Sequence, residues 1–101
     1  MTVYNITAKL DWAISAAWLA WQQEEAIPEA MATRLFEDFS IYRLTEPDDG
    51  EGPTFIIQFY SLTAENCQLY KEAFAPGHHQ KALEKWGDQF VSFSTIMEAV
   101  N

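Results

Sequence analysis

The sequence predicts an α+β fold whose elements run β-α-β-β-α-β. Three observations carry that reading. Four short stretches have strand patterns, strictly alternating in the first and apolar on both faces in the third, two longer stretches repeat apolar residues at helical spacing, and Gly, Pro and Asp cluster at the boundaries between them.

Residues 2–10 alternate strictly, with Tyr4, Ile6, Ala8 and Leu10 on one face and Val3, Asn5, Thr7 and Lys9 on the other. That is the pattern of a half-buried strand. Asp11 stands where an N-cap is wanted, its carboxylate placed to accept from the free N–H groups of a first turn. The helix after it is predicted to run to about Ala26. Its apolar side chains spread well past a single stripe: Trp12, Ala13, Ala16, Ala17 and Ala20 form one arc, which Ile14, Trp18 and Trp21 widen. So much apolar surface calls for a second element or a partner chain over it. Pro28 has no N–H and crowds the preceding turn, so the expectation is a break there and a short helix over residues 28–33.

Residues 36–44 read as the second strand, Phe39, Ile41, Arg43 and Thr45 sharing one face and Ser40, Tyr42 and Leu44 the other. An acidic turn cluster follows over residues 47–53, and residues 54–62 return as a third strand, making an antiparallel hairpin. Both faces of that third strand are apolar, Phe55, Ile57 and Phe59 against Ile56 and Tyr60, with Gln58 the one interruption. A strand of this kind is covered on both sides. Thr63 is the expected cap of the second helical stretch, which Pro76 and Gly77 interrupt, residues 78–86 continue and Gly87 stops. Residues 90–97 form the last strand, Val91, Phe93, Thr95 and Met97 alternating with Phe90, Ser92, Ser94 and Ile96.

With right-handed crossovers and one sheet, this order is the ferredoxin-like arrangement, a single domain over residues 1–101 with two kinked helical segments on one sheet face. The other face stays bare. Apolar residues there are a liability for a lone chain, so a second copy packed sheet to sheet is expected.

The chain has 101 residues, 49% apolar and 15% aromatic, enough for one core and too apolar for disorder. Fifteen acidic against six basic residues give a formal net charge of −9, which disfavours nucleic acid and anionic membrane as partners. The longest mostly apolar run, between Trp12 and Trp21, is too short for a bilayer, and the first residues show no secretory signal. A single cysteine, Cys67, excludes an internal disulfide and suits a reducing cytoplasm.

Several local motifs resemble a known group. These are Tyr4, Asn5, Ile6 and Thr7; Trp18, Leu19, Ala20 and Trp21 leading to Ile27, Pro28 and Glu29; the strand with Arg43; and Ala75 and Pro76 followed by residues 86–95. Together they resemble a family of short bacterial proteins grouped as a domain of unknown function, many from Bacteroidetes, within the dimeric α/β-barrel superfamily. The resemblance covers nearly the whole chain and is most specific around Gly87. It implies a ferredoxin-like protomer and a homodimer, and brings no established activity. The family pattern favours arginine where this chain has His79 and histidine where it has Ala82.

Of the candidate chemistry, the pair His78 and His79 draws the eye first. Adjacent helical residues point about 100° apart and rarely share a metal, so they read as two polar residues at the start of a helical segment. One axial haem ligand is the alternative that the superfamily suggests. No metal or cofactor is expected. Asn5, Gln58, Tyr60, Ser92 and Ser94, with Thr7 and Arg43, are expected to converge on the sheet face away from the helices. Converging hydrogen-bonding groups among apolar neighbours describe a small-molecule pocket, or an interface whose polar atoms satisfy one another; the interface is favoured. Arg43 there would need an anion or a carboxylate. Glu24 with Glu25 and Asp48 with Asp49 read as solvated surface, and Trp12, Trp18, Trp21 and Trp86 as core and interface anchors. No catalytic motif is visible. The leading expectation is a cytoplasmic homodimeric binding or interaction module, with a small-molecule ligand left open. The competing one is a small monooxygenase-like enzyme of the dimeric barrel type, acting on an aromatic or lipophilic molecule between sheet and helices. An open cavity at Arg43, Gln58 and Tyr60 would favour the enzyme, and a filled sheet face would not.

Overall fold

The structure, a computed structural model, describes residues 1–46 and 50–101. The acid pair Asp48 and Asp49 and the Pro47 end of the turn cluster lie outside the described residues. Strands β1 (Thr2–Leu10), β2 (Asp38–Arg43), β3 (Thr54–Ser61) and β4 (Phe90–Glu98) form one antiparallel sheet in the order β2-β3-β1-β4. Helices α1 (Ser15–Trp21), α2 (Ile27–Ala32), α3 (Ala64–Ala73) and α4 (Ala75–Trp86) connect them. This is the ferredoxin-like order expected from the sequence.

The register sorts every side chain to a face. Tyr4 pairs with Phe59 and with Ile96, Ile6 with Ile57 and Ser94, and Ala8 with Phe55 and Ser92. Directly paired residues share a face, so these residues together meet the helices. Tyr4, Ala8, Leu10, Phe55, Ile57 and Phe59 are buried there with Trp18, Trp21, Ile27 and Tyr70 from the helices. Phe36 joins them from just before β2 and stacks on Phe59 at 4.9 Å between centroids. It belongs to the core and not to the strand, which begins two residues later than its pattern suggested.

The helices depart from expectation at their joints. Pro28 does not break the chain: α1 runs into α2 through one π-helical turn, Gln22–Ala26. The Ile27 N–H reaches back five residues to the Gln22 carbonyl. The wider turn relieves the clash that a proline ring makes with the carbonyl four residues before it. Asp11 sits at the start of a 3-10 turn, Trp12–Ile14, and its side chain makes no cap bond; its backbone carbonyl accepts from the Ile14 N–H instead. Thr63 caps α3 as expected, accepting from the Asn66 N–H at 3.2 Å. The interruption between α3 and α4 falls at Phe74, because Pro76 and Gly77 fit within the first turn of α4, where a missing N–H costs nothing. Gly87 ends α4 at φ 54°, a conformation that side chains disfavour.

Gly52 fixes the return into β3. A Cβ built there would lie 1.8 Å from the Leu10 carbonyl oxygen, in backbone that cannot yield. Gly52→Ala is therefore expected to destabilise the fold by about 3 kcal/mol, the upper range of overpacking costs, as a lowered urea midpoint at unchanged m-value.

Candidate functional site

Among the described residues two places gather polar side chains, one on each sheet face. On the face away from the helices, Asn5, Gln58 and Tyr60 do come together, as expected. Asn5 Nδ2 donates to Thr7 Oγ1 at 3.1 Å, Gln58 Nε2 to Asn5 Oδ1 at 3.2 Å, and the Tyr60 hydroxyl to Gln58 Oε1 at 3.0 Å, with Ser40 Oγ 3.2 Å from the same hydroxyl. The bonds run in one line across three strands, from Thr7 on β1 through Gln58 and Tyr60 on β3 to Ser40 on β2. Around it stand exposed apolar side chains: Val91 at 69% exposure, Phe93 at 63% and Tyr42 at 50%.

Arg43, Ser92 and Ser94 do not join this group. Arg43 pairs with Phe55, Ser92 with Ala8 and Ser94 with Ile6, so all three stand on the helix face. The Arg43 guanidinium lies over the Trp12 ring, 5.4 Å from its centroid, while Trp12 Nε1 donates to the Gly50 carbonyl at 3.2 Å. A cation over an indole face is a favourable pairing, and it ties the start of the first helix to the β2–β3 connection. No cavity opens across Arg43, Gln58 and Tyr60, because the sheet itself separates the first from the other two.

The second gathering is a cavity of about 310 Å³ between the helices and the β1–β4 half of the sheet. Tyr4, Ile6 and Ala8 of β1 and Phe90, Ser92 and Ser94 of β4 face it from the sheet, and Trp18 and Trp21 of α1 from one side. Gln22 and Ala26 bring the π-helical turn to the same wall. From the other side come Tyr70 of α3 and His78, His79 and Ala82 of α4. Trp21 meets Trp86 edge to face at 5.4 Å, and His79 meets Phe90 at 5.9 Å.

A connected polar constellation stands in the helix side of this wall. Tyr70, 2% exposed, places its hydroxyl 2.6 Å from His78 Nδ1. His78 Nε2 lies 3.6 Å from Glu29 Oε2 on α2, and Lys81 holds both oxygens of Glu29 at 2.9 and 3.0 Å. The carboxylate favours the tautomer with its proton on Nε2, so Nδ1 accepts from the Tyr70 hydroxyl. Burial, with Tyr4 and the Glu29 charge adding to it, pushes the Tyr70 phenol far above its ordinary range. Burial also lowers His78 below 6.5, an effect that Glu29 opposes and Lys81 reinforces. The Tyr4 phenol is raised by burial, the nearby Ser94 hydroxyl working against the rise. Cys67 is buried and its thiol is raised by desolvation. Among the described residues no group of three or more His, Cys, Asp or Glu gathers as a metal would need.

The sequence offers His78 as a polar helix start or, by the resemblance, one axial ligand, and gives Tyr70 no functional role. They are eight residues apart across the Phe74 joint, and only the angle between α3 and α4 brings them together.

The model of a family described as a domain of unknown function (DUF4286) matches residues 1–100. The chain belongs to that family. DUF4286 carries no activity in its description, and none of the curated proteins matches this sequence. Solved structures share its fold. An ethyl tert-butyl ether D (EthD) family protein from Bacillus halodurans aligns at a TM-score of 0.67 and 14% identity, over 99% of this chain and 100% of that one. A dimeric ferredoxin-like protein from an uncultured marine organism aligns at 0.66 and 13%, over 99% and 95%. A putative antibiotic biosynthesis monooxygenase from Bordetella bronchiseptica aligns at 0.60 and 14%, over 99% and 98%. At such identities the likeness shows the fold.

The lowered His78 has a consequence for this DUF4286 chain's stability. Its folded pKa lies below the unfolded value near 6.5, so between the two the unfolded chain binds more protons. The contribution is complete above 6.5 and is lost as pH falls through the folded value. Urea midpoints measured downward from pH 7 are expected to fall in that window, and to fall less in His78→Gln.

Proposed function

We propose that the protein is a homodimeric, single-domain binding module of the cytoplasm, which holds a small uncharged aromatic or lipophilic molecule between sheet and helices. The cavity carries this reading. Its volume of about 310 Å³ is within the range of small-molecule sites, and apolar walls with a few convergent polar groups are their usual construction. A net charge of −9 works against an anionic ligand, and equally against nucleic acid or an anionic membrane surface. No helix among the described residues is long and apolar enough to cross a membrane.

The dimer rests on the other face. On β4, an edge strand, the more apolar side chains Val91, Phe93 and Met97 point away from the chain's own helices. The polar ladder between them is bonded within the chain, so a flat apolar cover would leave few of its groups unpaired. Dimeric ferredoxin-like proteins among the structural relatives support the same assembly. The second reading, a small enzyme working in the cavity, is favoured by the Tyr70–His78 pair; the similarity to a putative monooxygenase supports it at the level of fold.

Two measurements test the proposal. N-phenyl-1-naphthylamine, an uncharged fluorescent probe, is expected to bind with enhanced emission, and Ala82→Phe, which fills the cavity from α4, to weaken it by about tenfold or more, or ~1.4 kcal/mol. Light scattering at tens of micromolar is expected to give a dimer mass. Ile56→Glu, which puts a charge at the centre of the open face of each copy, is expected to give a folded monomer. A monomeric wild type would overturn the assembly.

A further inference from the structure

We propose that Tyr70, His78 and Glu29 form a proton relay at the cavity wall, making the cavity a catalytic site for moving a proton on a neutral aromatic ketone, at the carbon next to the carbonyl. The inference deepens the proposed binding function and rests on that reading, since the ketone must first occupy the cavity.

The direction of the relay follows from the hydrogen bonds. Glu29 sits 3.6 Å from His78 Nε2, and the Tyr70 hydroxyl sits 2.6 Å from Nδ1. With the Nε2 proton facing the carboxylate, Nδ1 has its lone pair toward Tyr70, whose proton is committed to it. The remaining lone pair of the Tyr70 oxygen is then free to accept. Tyr70 and His78 both line the cavity, and Tyr70 comes from the buried end of its wall. This is the order of hydroxyl, imidazole and orienting carboxylate in which the imidazole draws off the hydroxyl proton as the oxygen reacts.

The step balances without any co-reactant. The proton on the carbon beside the carbonyl passes to the Tyr70 oxygen as the Tyr70 proton passes to His78 Nδ1. The C–H electron pair becomes the C=C bond of an enolate, and the carbonyl oxygen takes the negative charge. His78 becomes an imidazolium facing Glu29, and Tyr70 is a neutral phenol before and after. Return of the proton along the same path to carbon or to oxygen restores the protein and gives the ketone or its enol. Because the phenol never ionises as an intermediate, its strong resistance to ionisation does not oppose the relay. The cavity also holds a hydroxyl pair suited to the developing oxyanion: the Tyr4 phenol and the Ser94 hydroxyl, on neighbouring strands of its floor. Donors fixed in a water-poor site stabilise such charge far better than water-exposed ones.

The groups that face His78 are Tyr70 from α3, Glu29 from α2 and Lys81 on its own helix, with Tyr4, Lys71 and His79 on the same cavity wall. Tyr70 and His78 are the catalytic residues. Glu29 acts through His78 and is a positioning residue.

The test uses the full chain and 2-tetralone, a neutral fused-ring ketone, in D2O. Saturation transfer from protein to the ring protons reports binding, and loss of the proton signal beside the carbonyl reports exchange. The wild type is expected to bind and to exchange above the buffer rate. Tyr70→Phe, which keeps the buried ring, is expected to bind equally and lose about 100-fold or more of the exchange; His78→Gln, at a less buried position, repeats the test should Tyr70→Phe fold poorly. In Glu29→Gln the acid limb of the exchange profile is expected to move to lower pH, since that carboxylate supports protonation of His78. Binding with no exchange above buffer, or exchange unchanged in both Tyr70→Phe and His78→Gln, overturns the relay and leaves the binding module standing. Absence of saturation transfer overturns both.

Discussion

The register of β1 between β3 and β4 is the constraint on which the rest of the structure depends. Strand side chains alternate with a period of two, so a slip of one residue would exchange the two faces wholesale. Here the pairing of Tyr4 with Phe59 and Ile96 sends the aromatic set inward and the Asn5 ladder outward. It also aligns Ser92 and Ser94 with Ala8 and Ile6, which places small residues on the β4 part of the helix face. Small side chains beneath α4 leave space there, and that space is the cavity.

Much of this was legible in the chain itself. The four strand-patterned stretches, the Thr63 cap and the Gly87 stop each have a local cause, and each appears where its cause predicts except that β2 begins two residues late. What was not legible depends on relations between elements. Alternation divides a strand into two sets, but it does not say which set matches which set on the neighbour. Arg43, Ser92 and Ser94 were therefore read with the wrong partners. For β4 the hydrophobicity rule itself misleads, because its more apolar set, Val91, Phe93 and Met97, lies outward. A strand that turns its larger apolar side chains away from its own core is the signature of a surface meant to be covered.

Pro28 and His78 show the same limit at the helices. A proline inside a helical pattern signals a break when only α geometry is weighed. The π-helical turn, Gln22–Ala26, accommodates it and moves Gln22 and Ala26 onto the cavity wall. Such turns recur at functional sites because they displace side chains from the regular helical positions. Adjacency of His78 and His79 is poor geometry for a shared metal, and it says nothing of what either imidazole meets across the fold. The partners of His78 come from α2 and α3, and neither can be inferred from spacing.

The two sheet faces are not independent. Phe93 stands on the open face by register, paired with Thr7, yet it also lines the cavity at the β4 edge. At 63% exposure it is held by little in the single chain. A second copy covering the open face would bury this ring and fix its position at the cavity rim. Occupancy of the cavity and assembly of the dimer would then act on one side chain, and by linkage each would favour the other to the same extent. The sheet that separates the two sites is hydrogen-bonded without a gap from β2 to β4, and Phe93 at its β4 edge is the side chain that belongs to both faces.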